Sequence, residues 1–435
     1  MPMPRQRPES YGYHDRFTIP LGHPSAFKFY VDRLLVAHSR REMAWATAAR
    51  VSSIAGRAVL RILGLKGVEP LGQRAPGAYA AVRRLCSLLA GKPGVSEGEP
   101  SVIAIDDYGD SNRGKVVAFI LNPRDKAPSL VAKMSANPEH VATLEREHAN
   151  LRSLRERLGE GLSSTLPMPF AVVSDGSRTA FAEQYMPGRS MYFEMRNSWA
   201  PRRHVERHFE LACNWLIAFQ KATQVGDGRL GDPGVHDIVT APLAEYQRLF
   251  SPAAAEGEFI AGIIGKRQAF DGERLPVVAN QGDFWARNLI LQRAGLGVLD
   301  WESYSARGSP LFDIFLFATS YGLSYPWELG RWTEPAAAFR ATYTANGWMA
   351  RSVRRHLIDF CERAEVSPKL LEVCFPAFLA ERAIDEVNHS VPHSASFEAE
   401  GASGDRARYE VSAKGQMWRR LFQEYARMAG SACFG

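Results

Sequence analysis

The stretch SLVAKMS, residues 129–135, constrains the fold more than any other part of the chain, because it sets Lys133 in the middle of an apolar β-strand. An ammonium group withdrawn from water is costly unless a carboxylate or a ligand anion pairs with it. The fold must therefore bring negative charge to this strand. The next run, EHVATLEREHANLRSLRERL, offers some. Leu144, Leu151, Leu154 and Leu158 form an apolar stripe at helical spacing. At about 100° per residue Glu147 falls within that stripe and Glu145 points away. Glu147 is thus the acid expected to face Lys133, against the alternative that each side chain reaches water separately.

Around this pair the pattern is β first and α afterwards. SVIAIDDYGD, GKVVAFIL and SLVAKMS read as an antiparallel meander, then comes the Glu147 helix, then the strands FAVVS and TAFAEQYM joined by DGSR. From Pro201 onward helices dominate, with a small β island of VVANQGD, NLILQ and GVLDWE, and a final helix from about Tyr409 to Met428. Before the break GKPGVSEGEP the texture differs again. Residues 1 to 24 are polar and proline-containing and are expected to be loosely ordered. From Ala26 to Leu65 the pattern is helical, with Arg50, Arg57 and Arg61 on one face and Val59 and Ile62 largely opposite. Such a helix can lie on an anionic membrane surface or touch a protein partner. A helix docked on the main body with its arginines in water is the preferred reading. The expected division is 1–98 as a helical extension, 99–188 as a β-rich unit, and 189–435 as a helical unit carrying the β island.

A chain of 435 residues exceeds what one core usually serves, and 46% hydrophobic with 23% charged residues describes a globular protein. The net charge of +6 is dispersed, so nucleic acid is not an expected partner. The five cysteines are widely spaced without a CxxC pair and read as reduced thiols of a cytoplasmic protein. Neither a signal peptide nor a long uncharged apolar run is evident. Gly226, Gly228 and Gly231 make a GxGxxG match that follows a helix rather than a strand, so it reads as chance. The two histidines of HVERH, His204 and His208, read as a solvated helix face rather than metal ligands.

The β island carries the remaining chemistry. NQGDFWARNLIL places Asp283 and Asn288 five positions apart, and antiparallel pairing of NLILQ with GVLD brings Asn288 beside Asp300. Two oxygen-bearing side chains so placed suit a hard cation such as Mg²⁺, which shares its ligands with phosphates. Asp283, slightly earlier, is placed to accept a proton. A strand lysine, a helix glutamate, a loop aspartate, then an asparagine and an aspartate for metal match the phosphoryl-transfer template.

With these residues in place, the chain resembles the aminoglycoside phosphotransferase and choline kinase branch of the protein-kinase-like fold. That pattern is HGDxxxxN followed by a strand ending in Ile/Val-Asp-Trp, here QGDFWARN and VLDWE. GSPLFDIF resembles the family's GDPxxDLA, with Asp313 in the usually structural position. The resemblance covers about residues 100 to 390 and implies a two-lobed α+β fold. It implies Lys133 on the nucleotide phosphates oriented by Glu147, Asp283 as catalytic base, and Asn288 and Asp300 as magnesium ligands. EQYMPG, including Gln184, Tyr185 and Met186, would be the hinge for adenine, and the DYGDSNRGK turn with Ser111 and Asn112 the phosphate-covering loop. The implied activity is ATP- and Mg²⁺-dependent phosphorylation of a hydroxyl on a sugar, aminoglycoside-like or amino-alcohol substrate. Gln281 departs from the family's histidine, which commonly holds the loop by hydrogen bonding; glutamine can also donate and accept. DWE and PLFDIFLF resemble phosphotransferase-like proteins of glycan assembly. The alternative, to which Gln281 and the unusual N-terminal helix lend weight, is a catalytically weak pseudokinase or nucleotide-dependent scaffold acting in a glycan-assembly or other complex. Trp285, Tyr304, Tyr321, Tyr325 and Trp327 could stack on a sugar, but aromatics at such positions more often belong to the core.

Overall fold

The computed structural model describes residues 11–14, 17–20, 28–29, 101–106 and, between 116 and 428, all but 123–124, 136, 175, 177, 199–200, 233–236, 294, 328–333, 345 and 391–415. Contacts divide the chain into two compact units. One is Met1–Trp199 with Arg287–Glu302, the other Ala200–Ala286 with Ser303–Gly435.

The described strands begin with β1 (Tyr11–His14), β2 (Phe17–Pro20), β3 (Ser101–Asp106), β4 (Val116–Leu121), β5 (Leu130–Ser135) and β6 (Pro169–Ser174). They continue with β7 (Thr179–Gln184), β8 (Arg189–Ser190), β9 (Val278–Asn280), β10 (Leu289–Gln292), β11 (Gly295–Val298) and β12 (Ser305–Gly308). The helices of the first unit are α1 (Pro138–Arg157), α2 (Glu160–Ser163) and α3 (Met191–Ser198). Those of the second are α4 (Arg202–Thr223), α5 (Thr240–Phe250), α6 (Ala254–Arg267), α7 (Phe312–Ser324), α8 (Pro335–Tyr343), α9 (Trp348–Arg363), α10 (Leu371–Ser390) and α11 (Met417–Met428).

The first unit is built on an antiparallel sheet of order β1-β2-β3-β4-β5-β7-β6. Every residue of β5 is buried, so this strand is covered on both faces. One face is the cluster of Val116, Ala118, Ile120, Leu130, Ala132, Met134, Ala180 and Ala182. Strand alternation puts Lys133 on the other face, where α1 packs. Helix α1 starts sharply because Asn137 accepts from the Glu139 N–H at 2.9 Å and Pro138 occupies its first turn, where no N–H is needed. Leu144, Glu147, Leu151 and Leu154 are its buried face and Glu145 is exposed, as the stripe requires.

A second small sheet, β11-β10-β8, completes this unit. Trp301, just past β11, ties its hairpin to α1. The Trp301 N–H donates to Glu147 Oε1 at 3.1 Å, its carbonyl accepts from Asn150 Nδ2 at 3.0 Å, and its indole N–H donates to Val298 O at 3.0 Å. Its side chain is fully buried.

In the second unit the helix FDIFLFATSYGLS is apolar all round, and burial of every residue from Asp313 to Gly322 follows, since such a helix belongs inside a core. α7 packs against α4, α8 and α10. β9 pairs with β12, Asn280 opposite Ser305 and Val278 opposite Gly308.

Four expectations change. Residues 11–14 and 17–20, taken as loosely ordered, are strands, because YGYH and FTIP carry the aromatic and β-branched residues that suit a pleated surface despite their polar surroundings. The β island divides: β9 pairs with β12 in the second unit, whereas the β10–β11 hairpin belongs to the first. The first unit likewise runs to Trp199 rather than ending at 188. His208 is not solvated; it is buried, with Nδ1 2.8 Å from the Tyr321 hydroxyl. The arginine-faced helix of 26–65 lies outside the described residues apart from Lys28 and Phe29. Among the described residues no helix is long and apolar enough to cross a membrane. Cys213, Cys361 and Cys374 are buried free thiols, each pushed up to about 12 by burial.

Trp301→Phe should cost about 1 kcal/mol, one net hydrogen bond, and Trp301→Ala about 3–5 kcal/mol, the loss of a buried aromatic ring. Urea midpoints of the two variants check this order.

Candidate functional site

Lys133, β5's central cation, meets the acid expected of it. Its Nζ lies 2.5 Å from Glu147 Oε1, and also 2.7 Å from Asp300 Oδ1 and 3.6 Å from Glu183 Oε1. One ammonium therefore faces three carboxylates. Burial alone would favour the neutral amine, but Asp300, Glu147 and Glu183 more than reverse this and hold Lys133 well above the usual lysine value. For Glu183 burial is the largest cause and pushes it up to about 7, with Lys133 opposing and the other two carboxylates reinforcing. Asp300 is the accessible member: its side chain is 32% exposed, against 8% for Lys133, 3% for Glu147 and 10% for Glu183. Sequence reasoning missed Glu183 as part of the cluster because it was read as the start of the hinge. Only the register of β7 on β5, with Glu183 opposite Val131 on the Lys133 face, reveals it.

Past β7 the hinge leaves the sheet. The Gln184 N–H donates to Met168 O at 2.8 Å and the Tyr185 N–H to Ser129 O at 3.1 Å, so neither is open to a ligand. Met186 makes no hydrogen bond among the described residues, which leaves its N–H as the available donor of the three expected hinge residues. The tyrosine ring is engaged with Phe119 and Phe29, at 6.4 and 5.6 Å between centroids. Ser111 and Asn112 lie outside the described residues.

The hairpin end forms as its antiparallel pairing requires. Leu289 pairs with Val298, and the Leu299 N–H donates to Asn288 O at 2.9 Å, which sets Asn288 beside the chain leading into Asp300. Asp300 takes the left-handed conformation, φ 55°, which aspartate tolerates better than bulkier residues. Among the described residues no group of three or more His, Cys, Asp or Glu could by itself hold a metal ion. A pair of side-chain oxygens next to an excess of carboxylates instead fits a cation such as Mg²⁺, which completes its shell with water and phosphate oxygens.

In the second unit the loop from Asn280 to Asp283 is held from beneath by Asp313, the first buried residue of α7. Asp313 Oδ2 accepts from the Gln281 N–H at 2.8 Å and Oδ1 from the Gly282 N–H at 3.0 Å. Burial pushes this carboxyl up to about 6, the two backbone donors opposing. Gly282 has φ 85°, and a Cβ there would collide with Ser303 O, so only glycine serves. Gln281 is fully buried, and its Oε1 accepts from the Asp283 N–H at 2.8 Å. The residue that departs from the family pattern is thus a strut of the loop. Phe284, stacked on Trp215 at 5.4 Å, pins the next position in the core and leaves Asp283 partly exposed.

The sequence matches the model of the phosphotransferase enzyme family over residues 114–354, more than half the chain. The chain belongs to that family. The matched span of this phosphotransferase contains Lys133, Glu147, Asp283, Asn288, Asp300 and Asp313. No curated protein matches the sequence significantly. Similar solved structures include a thermostable mutant of aminoglycoside phosphotransferase APH(4)-Ia in ternary complex with ADP and hygromycin B, at 12% identity, TM-score 0.43, covering 79% of this chain and 98% of that one. A putative aminoglycoside phosphotransferase from Ralstonia eutropha JMP134 gives 14% identity, TM-score 0.43, and coverage of 80% and 98%. A choline/ethanolamine kinase family protein from Mesorhizobium loti gives 14%, 0.35, 80% and 99%. The phosphotransferase is α+β, with an antiparallel β unit and a helical unit.

Asp313→Asn turns an amide NH₂ or a single acceptor toward two backbone donors, and should cost about 3 kcal/mol, read by chemical denaturation. Glu183 has a folded value near 7 against an ordinary 4.5, so the folded state holds the extra proton between these values and stability falls as pH rises through that window. Glu183→Gln should flatten the dependence of melting temperature on pH between 4.5 and about 7, relative to the parent.

Proposed function

We propose that this phosphotransferase transfers the γ-phosphate of ATP to a hydroxyl of a small sugar, aminoglycoside-like or amino-alcohol molecule, with Mg²⁺ as cofactor. The observation that carries the reading is the buried Lys133, held charged by Glu147 and by the partly exposed Asp300. A fixed cation beside carboxylates that outnumber it suits phosphate oxygens arriving together with a divalent metal.

Lys133 would bind the phosphates, with Glu147 fixing its direction. The Met186 N–H supplies the hinge donor for an adenine edge. Asn288 and Asp300 would hold Mg²⁺, which when bound offsets charge on the phosphates. Asp283 accepts the proton of the acceptor hydroxyl, whose oxygen forms the new bond to phosphorus as the bond to ADP breaks; the leaving group departs as ADP. The Gln281 strut fixes the backbone of that base, as a histidine would, and this weakens the case for an inactive scaffold.

The second unit offers room for an acceptor. A cavity of 310 Å³ bounded by Gly282, Phe312, Phe315 and Phe378 has Glu381 and Arg382 in its wall. Its volume suits a small molecule and not a polymer. Glu381 is pushed up to about 7 by burial and by Asp385, with Arg382 opposing. A carboxyl in this setting would hydrogen-bond hydroxyls when protonated and amino groups when charged, which supports the proposed acceptor classes.

Turnover against sugars, aminoglycosides and amino alcohols tests the assignment. Asp283→Ala should lower kcat by about 10²- to 10⁴-fold while leaving ADP binding intact, the range expected for loss of a general base. Asp300→Asn should abolish the Mg²⁺ dependence of ADP binding in calorimetry. Unchanged turnover in Asp283→Ala would sink the mechanism.

A further inference from the structure

The N-terminal extension contributes one described residue to the core of the first unit, and it contacts the hinge. Phe29 is only 5% exposed. Its ring centroid lies 5.6 Å from that of Phe119 and 5.6 Å from that of Tyr185, the latter edge-on, and these two are 6.4 Å from each other. The three rings close a triangle. Phe119 lies opposite Val131, and two residues back Val117 lies opposite Lys133, so Phe119 is on the Lys133 face of the sheet.

What this triangle can do follows from how the hinge is anchored. The last ladder-type bond on the sheet side is Tyr185 N–H to Ser129 O. At the far end Gly188, φ 151°, sits against Ile290 and the Leu291 carbonyl so tightly that no Cβ fits. Between the two anchors lie Met186, whose N–H has no hydrogen-bond partner among the described residues, and Pro187, which has no N–H. The direction of the Met186 N–H therefore depends on the peptide that joins it to Tyr185, and the setting of that peptide depends on where the tyrosine ring is held. Phe29 and Phe119 are the two described rings packed against it.

We infer that Phe29 is a positioning residue for nucleotide binding: the extension is part of the nucleotide site, acting through Tyr185 on the Met186 amide, and is not a separate docking arm. The inference rests on the reading of the hinge given above. It assigns to the region before the family match a role in affinity for nucleotide with no part in the chemical step.

The test uses the full chain with Phe29→Ala, Phe29→Leu and Phe29→Tyr, measuring ADP affinity by calorimetry, KM for ATP against kcat, and amide exchange at Tyr185. Phe29→Ala should weaken ADP binding and raise KM for ATP by about tenfold, with kcat unchanged, since an aromatic cluster contact of this kind carries roughly that factor. Phe29→Tyr should restore both, and amide exchange at Tyr185, whose N–H is bonded to Ser129 O, should quicken in Phe29→Ala and slow again in Phe29→Tyr. Phe29→Leu, which keeps an apolar filler, should fall between, and it stands in if Phe29→Ala does not fold. Folded variants with unchanged ADP affinity and unchanged hinge exchange overturn the inference, as does a fall in kcat without a change in KM. If the parent chain binds no ADP, the kinase reading fails by itself, and the exchange measurement still decides whether Phe29 sets the hinge.

Discussion

A buried ammonium has to be neutralised, and in this protein the solution organises the whole first unit. Lys133 is fixed by Glu147 at 2.5 Å, and the same Glu147 oxygen accepts the Trp301 backbone N–H at 3.1 Å. One carboxylate thus joins β5, α1 and the hairpin of β10 and β11. The residues expected to meet metal stand at the end of that hairpin. Their separation from the lysine is therefore set by the ion pair and not by loop flexibility. Removing one partner of such a pair leaves a buried charge exposed to the low-dielectric interior, which typically costs about 3–5 kcal/mol.

The second unit repeats the strategy with a different donor set. Asp313 is a buried carboxylate without an ion-pair partner at contact distance among the described residues, and backbone N–H groups take that place. Its position in the first turn of α7 adds the favourable field of a helix start. What it holds is the turn carrying Gln281 and Gly282, so the loop of Asp283 rests on the most apolar of the described helices.

Much of this could be read from the chain because the relevant signals are local. Periodicity alone separated Glu147 from Glu145, since residues two apart face nearly opposite sides of a helix, and antiparallel pairing alone set Asn288 beside the chain leading into Asp300. What escaped were relations that depend on distant partners. Glu183 has an unremarkable place at the end of a strand, and only the register of β5 with β7 brings it to Lys133. The division of the β island between two sheets escaped for the same reason: three short strands close in sequence look like one sheet until their partners, β8 for β10 and β12 for β9, are known. His208 was misread because its hydrogen-bond partner, Tyr321, lies more than a hundred residues away. The cavity bounded by Gly282 and Phe378 was hidden in the same way, being lined in part by residues of α7 and α10 that are remote in sequence.

The attachment of Trp301 to α1 has a mechanical consequence. Glu147 and Asn150 hold both sides of the same residue, one from its amide and one from its carbonyl, so the helix cannot roll on the sheet without breaking the lysine pair and two further bonds together. At about 3 kcal/mol or more for that rupture, a displaced helix would be populated below roughly one molecule in a hundred. A helix so locked gives the enzyme no resting posture to be released from: its charge cluster is assembled from the moment the chain is folded.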